Sequence, residues 1–116
     1  MANKQTHLSK YRKNKKLAGS SLICKTENND WRTVIIYYAA LHIIDSTYAD
    51  TFHPSNHILR KKFLIEVPRY KLIVDIYNNL EMLSRKARYD LLNMKPKEVK
   101  DALICLGKIE KNLNVS

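Results

Sequence analysis

Trp31 to Asp50 reads WRTVIIYYAALHIIDSTYAD, and this stretch decides the fold. Trp31, Val34, Ile35, Tyr38, Leu41, His42 and Asp45 fall on one helical stripe. Ile36, Tyr37, Ile43 and Ile44 make the opposite side apolar as well. A helix that is apolar nearly all round must be covered by neighbours, so it belongs in the middle of a bundle or at a dimer contact. Asn28-Asn29-Asp30 precedes it as a turn, with Asp30 the expected N-cap.

Working outward, the segment from Lys4 to Lys25 carries Leu8, Tyr11, Ala18 and Leu22 at helical spacing, and Gly19-Ser20-Ser21 weakens it. On the other side, Pro54 fits the first turn of a helix reaching Glu66, with Ile58, Leu59, Phe63 and Leu64 inward. Pro68 forces a kink or a restart, because it removes a backbone donor and clashes with the preceding turn. A further helix over Arg69 to Tyr89 repeats Ile73, Ile76, Leu80, Leu83 and Ala87 at near-heptad spacing. Asp90 to Lys95 is a loop. The last helix, Pro96 to Leu113, presents Val99, Ala102, Leu103, Leu106, Ile109 and Leu113. The expected fold is all-α: a four- to five-helix up-and-down bundle forming one domain over residues 1–116. Only 2 Gly and 3 Pro occur, too few for the turns of an all-β fold.

Charge is the outlier, at +10. Lys4, Lys10, Arg12, Lys13, Lys15, Lys16 and Lys25 precede the first acid, Glu27, so residues 1–26 carry +7. Surplus cations favour polyanions, either nucleic acid or an anionic surface. No apolar run reaches membrane-spanning length, and the chain opens on a basic amphipathic stretch rather than a hydrophobic signal core. A cytoplasmic protein with no membrane role is expected. Cys24 and Cys105 form no metal-binding pattern, so two reduced, buried thiols are expected, with a disulfide joining the first and last helices as the alternative, and neither a metal nor a cofactor is implied.

The chemistry that composition excludes is informative. Two isolated glycines cannot cradle a phosphate, the acids are scattered, and no G-x-S-x-G elbow exists. Three constellations remain. His42 lies between Tyr38 and Asp45 on one helical face, either as a histidine bonding within the bundle or as a general base with a carboxylate partner. His53 and His57 flank a helix start, with Arg60 one turn further, either an exposed face or a phosphate site at free backbone donors. In Ser84-Arg85-Lys86-Ala87-Arg88-Tyr89, Arg85 and Arg88 share a face beside Tyr89 and can clamp a phosphate while a base stacks. The ordinary alternative is a set of cations complementing a helix C-terminus.

The order of these pieces resembles the HEPN domains of prokaryotes, small helical bundles of toxin–antitoxin, defence and nucleotidyltransferase-linked systems. The resemblance runs from about His7 to Leu113, through HLSKYRKNKKLA, DWRTVIIYYAALHIIDSTYA, HPSNHILRKKF and YNNLEMLSRKARYD. It implies a homodimer, RNA or a nucleotide as ligand, and a nucleotidyltransferase as a possible partner. Active members place His four to six residues after an Arg as a metal-independent ribonuclease site. No Arg in this chain has such a His. The expectation is therefore a non-catalytic RNA- or nucleotide-binding module, with Arg60, Arg85, Arg88, Tyr89 and Tyr38 contacting RNA or phosphate. The alternatives are a divergent ribonuclease using His42 or His57, and a structural or adaptor homodimer with no nucleic-acid role.

Overall fold

The computed structural model describes residues 3–25, 28–49, 56–89 and 94–114. Within them the chain forms α1 (Lys4–Ala18), α2 (Asn29–Ser46), α3 (His57–Glu66), a 3₁₀ turn (Pro68–Tyr70), α4 (Val74–Tyr89) and α5 (Pro96–Asn112), with no strand among the described residues. His53 and Pro54, read above as part of a helix start, lie outside them.

The apolar helix sits at the centre. α2 packs against α1, α4 and α5, while α3 lies to the side on the connection into α4. Contacts fix the directions. Arg32 near the start of α2 donates to the Ala18 carbonyl at the end of α1 (2.9 Å), so those two helices run antiparallel. Tyr37 and Tyr77 share a buried hydroxyl–hydroxyl bond of 3.0 Å between α2 and α4. Asn29 donates to the Met94 carbonyl (3.0 Å), tying the start of α2 to the approach of α5. One end of the bundle thus gathers the C-termini of α1 and α4 with the N-termini of α2 and α5.

Local signals explain the boundaries. Asn3 caps α1 by accepting from the Thr6 N–H (2.9 Å). α1 stops at Ala18 rather than at Lys25, because Gly19 ends it and the next residues turn. α2 starts at Asn29, so Asp30 is not its cap; Asp30 stands in the first turn, where its charge still complements the helix dipole. α2 closes at Ser46, short of Asp50. Its buried hydroxyls satisfy themselves: Thr33 donates to the Asn29 carbonyl (2.8 Å) and Ser46 to that of Ile43 (2.7 Å). Asn56 caps α3 through the Leu59 N–H (2.9 Å). Pro68 opens the 3₁₀ turn, which buries Tyr70, and α4 begins at Val74 rather than Arg69. Pro96 opens α5, and Glu98 accepts from the Lys95 N–H (3.0 Å).

Three expectations about burial change. Ile58, read as inward, is 77% exposed, and Leu59 is exposed too. Successive helix residues are about 100° apart, and α3 turns Arg60 and Leu64 into the core, which carries Ile58 away from it. Leu103 lies on the solvent edge of α5. Both cysteines are free, but Cys24 is exposed, because the segment holding it follows the end of α1.

Candidate nucleic-acid interface

Arg60 is the main correction. It is only 6% exposed. Its Nε and Nη2 donate to the two carboxylate oxygens of Asp45 at 2.9 and 3.0 Å, a bidentate pair between α3 and α2. The Tyr48 hydroxyl donates to the same carboxylate. Burial, then the charge of Asp45, pushes the Tyr48 pKa well above its ordinary value, which keeps that proton in place. Arg60 is therefore a core cation rather than a phosphate contact, and Asp45 is not available to orient His42.

His42 turns instead toward α1. Its Nδ1 lies 3.1 Å from Nδ1 of His7, one ring donating and the other accepting. Burial first, then the nearby His7 and Lys10, lowers the His42 pKa to about 4. At neutral pH the ring is uncharged and a poor base, since general bases work best with a pKa near the ambient pH. His57 is the first residue of α3, behind its Asn56 cap.

What stays open is one strip of α2. α1 and α4 flank α2 without packing on one another. Between them α2 presents Trp31, Ile35, Tyr38 and His42, spaced four, three and four residues apart. Trp31 is 65% exposed and Tyr38 39%. At 1.5 Å per residue the strip is about 16 Å long. The α1 side supplies His7 and Lys10. The α4 side supplies Arg88, which lines a cleft of about 200 Å³ with Asp30, Trp31, Val34 and Ala87. The Arg88 guanidinium stands 5.4 Å from the centre of the Tyr89 ring, and that ring is 77% exposed.

The cations divide into two sets. Lys15 pairs with Glu110 (2.6 Å), Lys61 and Arg85 with Glu81 (2.9 and 3.6 Å), and Lys86 with Glu98 (2.6 Å). Arg85 reaches back to Glu81 on its own helix while staying exposed, and it does not line the Arg88 cleft. Lys10, Arg12, Lys13, Lys16 and Arg88 make no ion pair among the described residues. The four on α1 are exposed, and Lys10 is the one that stands near His42 at the edge of the aromatic strip.

Of the sequence candidates, Tyr38 and His42 share the strip, and Arg88 and Tyr89 meet at its Trp31 end. Arg60 and Arg85 do not join them. Trp31, Asp30 and Lys10 are the residues the sequence reading did not assign to a site. The Trp31–Ile35–Tyr38–His42 row was visible as a periodicity, but nothing in it shows which side of α2 stays uncovered. Among the described residues no three His, Cys, Asp or Glu side chains group as metal ligands, and no helix is long and apolar enough to cross a membrane. No protein-family model, curated protein or solved structure matches the chain.

Proposed function

We propose that this protein is a non-catalytic, HEPN-like helical module that binds single-stranded RNA along the open strip of α2. One observation carries the reading: exposed aromatics at Trp31, Tyr38 and Tyr89 stand beside cations at Arg88 and Lys10 that make no ion pair among the described residues. Stacking on aromatic side chains contributes about 1–3 kcal/mol per base, and a cationic groove tracks the backbone. Lys10, near His42, and the other exposed cations of α1 add positive charge that favours a polyanion. Catalysis is not part of the reading, because His42 is a weak base and no Arg is followed by His at the ribonuclease spacing.

The test is an anisotropy titration of a labelled single-stranded RNA at several salt concentrations. Contact with about four phosphates gives a slope of log K against log salt near −3. Trp31→Ala or Arg88→Ala weakens binding, and the RNA is recovered uncut. Affinity independent of salt, or indifferent to both substitutions, refutes the reading; cleavage refutes its non-catalytic part.

A second reading, pairing of two copies, has its own support. Ile58 and Ile65, seven residues apart on α3, and Leu72 just after it stand exposed, and grouped apolar side chains at a surface mark contact sites. Light scattering at high concentration tests it, and a mass of one chain rules it out.

A further inference from the structure

We infer that the cleft between the first turn of α2 and the last turn of α4 is a base pocket selective for guanine. The inference rests on the RNA-binding reading and assigns the base recognised at one end of the strip. A carboxylate and a guanidinium, Asp30 and Arg88, line the same cleft of about 200 Å³. In a chain of net charge +10 they nevertheless form no ion pair, so a gap separates two groups that attract one another. The guanidinium is fixed from behind: its Nε donates to the Ser84 carbonyl (3.4 Å) and the Tyr89 ring packs beside it. Its Nη groups remain for a ligand.

Size and chemistry narrow the ligand. The cleft is smaller than the roughly 300–1,000 Å³ that drug-sized molecules need. A dry cavity of about 150 Å³ already holds one benzene ring. One planar ring system therefore fits, with Trp31 as a stacking surface and Val34 and Ala87 as apolar walls. Among the four bases only guanine places two donors side by side, N1–H and N2–H₂, and two acceptors side by side, O6 and N7. The donors match a carboxylate and the acceptors match a guanidinium. Adenine and cytosine offer Asp30 a single amine, and uracil a single imide N–H, so each leaves one charged group without a full partner.

Trp31 is the only tryptophan, so its fluorescence reports the pocket directly. The full-length protein is titrated with GMP, AMP, CMP and UMP, and with uridine nonamers carrying each base at the centre. GMP and the guanine nonamer bind about tenfold or more tighter than their counterparts. Asp30→Asn brings the ratio of guanine to uridine binding close to one, and Asp30→Glu keeps part of it. Nonamers that bind with equal affinity overturn the pocket while leaving the RNA reading standing. GMP-selective quenching without nonamer binding does the reverse. No response to any nucleotide overturns both.

Discussion

The Arg60–Asp45 pair makes a sharp prediction, because the sequence allowed Arg60 to be a surface phosphate contact. Replacing Arg60 by Ala removes two charge-assisted bonds of 2.9 and 3.0 Å. It leaves the Asp45 carboxylate in a site only 4% exposed, with the Tyr48 hydroxyl still donating to it. Breaking a buried pair by removing one partner costs about 3–5 kcal/mol, since the other charge stays desolvated. That is a large part of the roughly 5–15 kcal/mol by which a small domain is stable. With a urea slope of about 2 kcal/mol/M, the midpoint falls by roughly 2 M. Urea unfolding followed by far-ultraviolet circular dichroism reads this shift directly. The double change Arg60→Met/Asp45→Leu should cost clearly less than the two single changes added together, because it removes both charges at once. A midpoint for Arg60→Ala within about 0.5 M of wild type, at unchanged slope, refutes the argument and returns Arg60 to the surface.

Other outcomes follow from single residues. The His42 pKa falls from 6.5 to about 4 on folding, so the unfolded chain binds the extra proton between those values. Its contribution is complete above pH 6.5 and is lost as pH falls toward 4; discounted for solvent screening, the loss is about 1–3 kcal/mol, and comparing wild type with His42→Gln across this window isolates it. Gly107 lies in an exposed stretch of α5 with open space around the position of a Cβ, so Gly107→Ala should raise stability by about 0.5–1 kcal/mol in the same urea assay. Arg88→Ala should weaken RNA binding by about tenfold, the loss of one charge-assisted contact. Arg85→Ala should change it by less than about threefold, because Arg85 is tied to Glu81; equal losses in a paired titration would show that the two arginines act together.

The fold was legible because α2 carried it. A helix with apolar residues on nearly every side needs neighbours to cover it, and the one-sided patterns of α4 and α5 supplied much of that cover. The boundaries that moved did so for local reasons. Gly19 ended α1 early, Asn28 and Asn29 opened α2 ahead of Asp30, and Pro68 opened a separate turn, so α4 starts at Val74 instead of Arg69. α3 was misread because its apolar residues lie on two sides. Ile58 and Leu59 look like core residues until Arg60 is seen to take the inward position. A cation at the centre of a helix face reads as solvent-facing unless its carboxylate partner, fifteen residues away on another helix, is known.

The same ambiguity limited the site. Charge counting places cations on the chain but cannot separate those facing an acid from those facing water. Arg60, Arg85 and Arg88 were equivalent candidates in the sequence, and each meets a different fate. Arg60 is buried against Asp45, Arg85 is tied to Glu81, and Arg88 lines a cleft that also holds an unpaired carboxylate. The difference is tertiary: it depends on which helix packs opposite each arginine. The aromatics follow the same logic. Tyr37 and Tyr38 are neighbours in sequence, yet one hydroxyl is buried against Tyr77 while the other ring stands at the surface. What leaves the α2 strip open for the proposed recognition is therefore an omission in the packing. α1 and α4 cover both flanks of the most apolar helix and leave its Trp31–Tyr38 edge open, beside Arg88 and Lys10, which make no ion pair among the described residues.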